Sequence, residues 1–202
     1  MAQAISVKEA TRSVFIAWRL FHRDRQVVEL IDDSYAGVVR SFWAAALVLP
    51  LYIVYLLLQV GTPTGNPGNF GTLVEHGGLF AASVSRLTVY AMGFVAWPLL
   101  MHYLAPRLDC DRHYFRYLVA YNWMNAVNIL VLLTYGMLRF SGLVPEEMAN
   151  LAAMITLTIM WAYHWFVARE TLDINGGIAA TLVAGEYLLT AIIADIGVSV
   201  IM

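Results

Sequence analysis

Four polar side chains lie where this 202-residue chain is otherwise most apolar. Asn122, Asn125 and Asn128 recur at intervals of three within "YNWMNAVNIL" (121–130), and Glu186 interrupts the apolar run 177–201. That spacing places the amides on about a third of one helix's circumference, a stripe shared with Tyr114 and Tyr121. Such a stripe does not face lipid. It either bonds neighbouring helices, at about 0.6–2 kcal/mol per bond, or lines a path for substrate or ions. Interhelical bonding is the reading asparagine favours. A buried carboxylate is costly when ionised, and protonation or a polar partner lowers that cost. Glu186 is therefore either a working group or a protonated link between helices.

Depth relates the two features. At about 1.5 Å per residue, Glu186 lies roughly 13 Å beyond Gly177, and Asn122 and Asn125 lie roughly 12 and 16 Å beyond Tyr114. Equal depth from the same side predicts direct contact between Glu186 and an asparagine amide, with Thr190 one turn farther on the same face. Asp195 points the other way. Its depth from the far side, roughly 9–10 Å, is close to that of Arg86, so an Arg86–Asp195 ion pair is expected.

Other candidate chemistry is sparse. His102 and His164 fall toward the same ends of their spans without HxxxH or HExxH spacing, and "DCDRH" (109–113) is too short a cluster to argue for metal. The Gly-rich segment 61–72 lacks the terminal GK[ST] of a phosphate loop. No Ser–His–Asp or Cys–His arrangement stands out. No catalytic, cofactor-binding or metal-ligating residue is expected, and no cofactor. An enzyme would have to be built from His102, His113 and His164, and the chain reads as a non-enzyme.

The elements that position these groups are membrane helices. A soluble domain carries roughly 25% charged residues, whereas this chain has 13%, with 60% hydrophobic residues and a mean hydropathy of +0.68. Net charge is −2, which argues against a nucleic-acid partner, and the single Cys110 excludes an internal disulfide framework. The first 35 residues lack the pattern of a cleaved leader, so an uncleaved chain is expected. Five stretches reach the roughly 20 apolar residues a crossing needs: 38–60, 80–105, 114–138, 148–168 and 177–201. Pro50 and Pro98 should kink the first two. The segment 61–78 reads as a loop outside the bilayer.

Basic residues set the direction. Lys8, Arg12, Arg19, Arg23, Arg25, Arg40, Arg107, Arg112, Arg116 and Arg169 fall on one side, leaving Arg86 and Arg139 toward the other. The amino terminus is then cytoplasmic and the carboxyl terminus lies across the membrane, periplasmic in a bacterial inner membrane. Residues 6–33 read as a helix broken near its end. Val7, Ala10, Val14, Ala17, Trp18, Phe21 and Val28 form one side, and Lys8, Arg12, Arg19 and Arg23 cluster on another. A helix of that kind lies in the bilayer interface, with Lys8, Arg12, Trp18, Arg19, Phe21 and Arg23 as its lipid contacts. The fold expected is all-α: a polytopic membrane bundle of five transmembrane helices (38–202) behind an amphipathic cytoplasmic segment (1–37).

"DDSYAGVVRSFWAAALVLP" leading into the first span and "RHYFRYLVAYNW" opening the third resemble the bacterial branch of the Yip (Ypt-interacting protein) family, as does the five-span plan. The eukaryotic members' acidic and glycine-containing signatures are not recognisable, so Rab-type partner binding is not carried over. The resemblance implies an inner-membrane protein that organises other membrane proteins. Association, with membrane lipids, with itself as a homo-oligomer or with other membrane proteins, is the leading functional expectation. The alternative is a small transporter or channel subunit with a polar path at Asn122, Asn125, Asn128 and Glu186.

Overall fold

The computed structural model describes residues 5–201 except 61–63, 65 and 67. Helix α1 spans Val7–Phe21, and its first turn is capped by Ser6, whose hydroxyl accepts from Glu9 N at 3.1 Å. It does not continue to residue 33. The backbone reverses at Arg23 (φ 64°), and a 3-10 helix follows at Arg25–Leu30. Asp24 makes that break by capping the new turn, accepting from Gln26 N at 2.9 Å while pairing with Arg19.

Helices α2 (Tyr35–Ser41) and α3 (Trp43–Val60) form the first span, and Pro50 sits inside α3 without ending it. The second span comprises α4 (Phe70–Gly93) and α5 (Ala96–Leu104). It begins earlier than hydropathy suggests. The end of the expected loop is helical from Phe70, because Asn69 caps Thr72 N at 3.0 Å and the Gln59 side chain accepts from Phe70 N at 2.9 Å. Gly78 (φ 78°, ψ 164°) then kinks α4, a backbone that glycine tolerates without strain. The rest of that expected loop, at 61–63, 65 and 67, lies outside the described residues.

The second break, at Phe94–Val95, is a proline effect. Pro98 has no N–H to offer the Phe94 carbonyl four residues back, and its ring crowds that group. Helices α6 (Tyr114–Phe140), α7 (Ala149–Leu172) and α8 (Gly176–Ser199) complete the bundle. All five spans are long and apolar enough to cross a membrane, as expected of an integral membrane protein. No strand occurs among the described residues.

In α6, 72% of the apolar window is buried, against 22–28% in the other spans, so α6 is the central helix. It packs on α3 and α7; α3 meets α4, α4 meets α8, and α8 meets α7. Helix α1 is part of this bundle. Its Ile16, Ala17 and Leu20 share one core with Trp123, Met124 and Val167. Tyr163 of α7 donates its hydroxyl to Ala17 O at 2.8 Å.

Candidate functional site

Glu186 and the asparagines do meet at one level, but not as directly as depth alone suggests. His164 of α7 stands between them. Its Nδ1 lies 3.0 Å from Glu186 Oε1 and 3.1 Å from Oε2, and its Nε2 faces Asn128 Nδ2 at 2.8 Å. The expected direct bond between Glu186 and an asparagine is therefore replaced by a relay. The reason is lateral order: α7 packs between α6 and α8 and sets His164 between Glu186 and Asn128, while from α6 the Tyr121 hydroxyl reaches the carboxylate.

The relay fixes chemistry as well as position. With the Asn128 amide donating, His164 Nε2 is bare and Nδ1 carries the hydrogen given to the carboxylate. Turning that amide over gives a second arrangement, in which a doubly protonated imidazole donates from both nitrogens. One proton separates the two. All three residues are buried: Glu186 and Asn128 are 5% exposed and His164 is 7%.

Beside the relay is a cavity of about 240 Å³ to which all five spans contribute. Asn125, Asn128, His164, Glu186, Tyr187 and Thr190 form its polar wall. Helix α4 adds Tyr90, Gly93 and, just past its end, Phe94, which places the break before α5 on the cavity surface. Irregular backbone at membrane depth survives only where protein or a cavity satisfies it. Here the Gly93 carbonyl accepts from the Tyr121 hydroxyl at 3.3 Å, while Tyr114 donates to Pro98 O at 2.9 Å. The tyrosines on the asparagine stripe thus hold the broken span.

The remaining sequence candidates go elsewhere. Asn122 is fully buried but donates to Ser41 Oγ of α2 at 2.8 Å and does not line the cavity. Asn125 turns its amide back to Tyr121 O at 3.1 Å. Thr190 donates to its own helix, at Glu186 O, 2.9 Å away. The Arg86–Asp195 pair is not formed. Arg86 is buried and donates from Nη2 to Gly68 O at 2.6 Å, and Asp195 is exposed. Close packing fixes this, since α8 turns Gly197 toward α4, where Ser85 donates to its carbonyl at 2.6 Å. Asp195, two residues earlier, points about 160° away.

Among the candidate lipid contacts, Trp18 is 46% exposed and Lys8 is exposed. Arg12 donates to Leu30 O, Arg19 pairs with Asp24, and Arg23 lies 5.2 Å from the Phe166 ring centre. Phe21 turns inward onto Tyr163, with ring centres 5.2 Å apart. Of the other histidines, His113 Nδ1 faces Leu172 O at 3.0 Å, and His102 packs against the Tyr103 and Tyr114 rings. Cys110 is buried, and burial, followed by the Asp111 and Asp109 charges, pushes its thiol up, away from the reactive thiolate. No group of three metal-ligating side chains occurs among the described residues.

His164 is the candidate residue that sequence reasoning passed over, being assigned to a span end. The signal was available: eight residues before Leu172, it lies roughly 12 Å deep, the level of Glu186. No family model matches this chain, and neither a curated protein nor a solved structure matches it.

Proposed function

We propose that this protein moves a proton or small cation across a membrane through the site at Glu186. The observation that carries the reading is the buried Glu186–His164–Asn128 relay on the wall of a cavity shared by all five spans. A carboxylate and an imidazole in contact exchange a proton with little movement, and their burial keeps that proton from bulk water. A span broken at the same level adds support, since discontinuous helices at mid-membrane characterise ion-coupled carriers. The basic asymmetry supports a bacterial inner-membrane setting with a cytoplasmic amino terminus and a periplasmic carboxyl terminus. The half-exposed Phe15 and Trp18, beside Arg19, suit α1 to the interface of that membrane.

The test is flux. Purified protein in sealed vesicles with a trapped pH dye should dissipate an imposed proton gradient, or acidify on counterflow of a cation, and Glu186→Gln should reduce either to the rate of empty vesicles. Equal rates with and without protein, across proton and cation gradients, would remove the reading. Reporter fusions after Gly65 and at the carboxyl terminus should both report the non-cytoplasmic side; a cytoplasmic signal from either would overturn the orientation.

A second reading is association, the role implied by the likeness to the Yip family. What favours it is an apolar groove of about 580 Å³ between α4 and α8, lined by Phe80, Val84, Ile193, Ile196 and Val200. If two copies join there, Val84→Cys should form intermolecular disulfides in membranes while a cysteine at Leu157, exposed on α7, should not.

A further inference from the structure

We infer that the cavity beside Glu186 binds a small organic monocation carrying N–H donors, an alkylammonium. This rests on the reading of Glu186 as a working site and deepens it. The cavity wall carries a carboxylate and two polar atoms without partners. The Glu186 carboxylate takes bonds from His164 and from the Tyr121 hydroxyl, and the Asn128 Oδ1 acceptor and the Tyr187 hydroxyl, which can donate or accept, are buried with no partner. Unpaired buried acceptors are rare in folded proteins and call for a donor. An ammonium group brings up to three N–H donors and a charge opposite to the carboxylate. No lysine or arginine lines the cavity, so an anion would meet Glu186 with only His164 to offset it.

The rest of the lining decides between an organic and an inorganic cation. Val48, Ile129, Leu132 and Met160 are apolar, and a bare metal cation there would lack oxygen ligands over much of its surface. An alkyl chain fits that wall. The Tyr52 and Tyr90 rings, stacked 4.8 Å apart, and Phe94, 5.3 Å from Tyr90, present aromatic surface suited to a cation. A cavity of about 240 Å³ holds roughly eight waters at about 30 Å³ each, room for a short alkylamine.

Isothermal titration of the full chain in lipid nanodiscs tests this with propylammonium, 1-propanol, tetramethylammonium and sodium. Propylammonium should bind, with affinity at least tenfold above that of 1-propanol and of sodium. Glu186→Gln should weaken it at least tenfold, and Tyr187→Phe, which keeps the ring, by about threefold. Tetramethylammonium, having no N–H, should bind more weakly than propylammonium; equal binding would overturn the donor assignment. Sodium or 1-propanol matching propylammonium, or no binding by any probe, would overturn the inference. Glu186-dependent proton flux without propylammonium binding would sink the inference alone. Glu186-dependent binding without flux would sink the transport reading and leave the inference standing.

Discussion

Glu186 and Arg86 are both charged, both buried and both within the spans, yet their surroundings differ in kind. Arg86 meets backbone: the Gly68 carbonyl just before α4, with its Nε left without a partner. Glu186 meets a second titratable side chain and, through it, an amide, all beside a cavity. A carbonyl has one protonation state, so the Arg86 contact has one arrangement. The Glu186 relay has two. Burial alone therefore says little about function in a membrane bundle; what matters is whether the buried group's partner can also change its state.

Substitutions at these two positions should separate function from stability. Glu186→Gln keeps an acceptor for His164 Nδ1–H but removes the exchangeable carboxyl proton. It should abolish Glu186-dependent flux while moving the unfolding midpoint little. Arg86→Ala should do the reverse, lowering stability by about 2 kcal/mol through the unpaired Gly68 carbonyl and the emptied space, with flux per folded protein unchanged. Flux and denaturation measured on the same preparations decide it. A Glu186→Gln protein that unfolds as readily as Arg86→Ala would erase the distinction.

Asn122 and Asn128 sharpen the comparison within one stripe. Asn122→Leu removes a bond to Ser41 and should cost about 1 kcal/mol with flux intact. Asn128→Leu leaves His164 Nε2 facing carbon and should slow flux at a similar cost in stability. Parallel flux assays would show whether the relay ends at His164: if both variants carry at the wild-type rate, Asn128 is only a helix link.

The sequence revealed depth better than neighbours. Apolar length placed all five spans, because the bilayer imposes one dimension that residue counting measures directly. The same counting put Glu186 level with Asn122 and Asn125; Asn125 lines the cavity with Glu186, whereas Asn122 turns to Ser41. Lateral order is not encoded in hydropathy, so the interposed α7 and its His164 were not foreseen. Asp195 shows the same limit. Its depth matched that of Arg86, but the contact at Gly197 turns it outward. Local capping also escaped the pattern: Phe70–Gly77 looked like loop because its helix start depends on Gln59, eleven residues before Phe70. Asp24 likewise divided a segment whose apolar period ran on to Val28.

A third charged cluster supplies the solvent-exposed case, and the smallest effect. Arg40 pairs with Glu9 of α1 and with Asp32, 2.7 Å away, tying α1 to the start of the first span. Burial pushes the Asp32 carboxyl up, but bonds from the Ser34 hydroxyl and amide, together with the Arg40 charge, outweigh it and hold the group below its ordinary value of 3.8. A carboxyl lowered on folding contributes stability above its unfolded value, and that contribution disappears as pH falls through the folded one. Asp32→Asn should therefore lower the unfolding midpoint at pH 6 and make no difference once the wild-type carboxyl is protonated, well below pH 3.8. The Asp32 side chain is 50% exposed, so water and salt screen the pair, and the gap should stay under about 1 kcal/mol and shrink further in high salt. Thermal denaturation of both proteins from pH 6 downward, at low and high salt, measures it. A gap that persists unchanged into acid would mean that Asp32 acts through packing or its turn with Ser34, and that the charge on Arg40 is anchored by Glu9 alone.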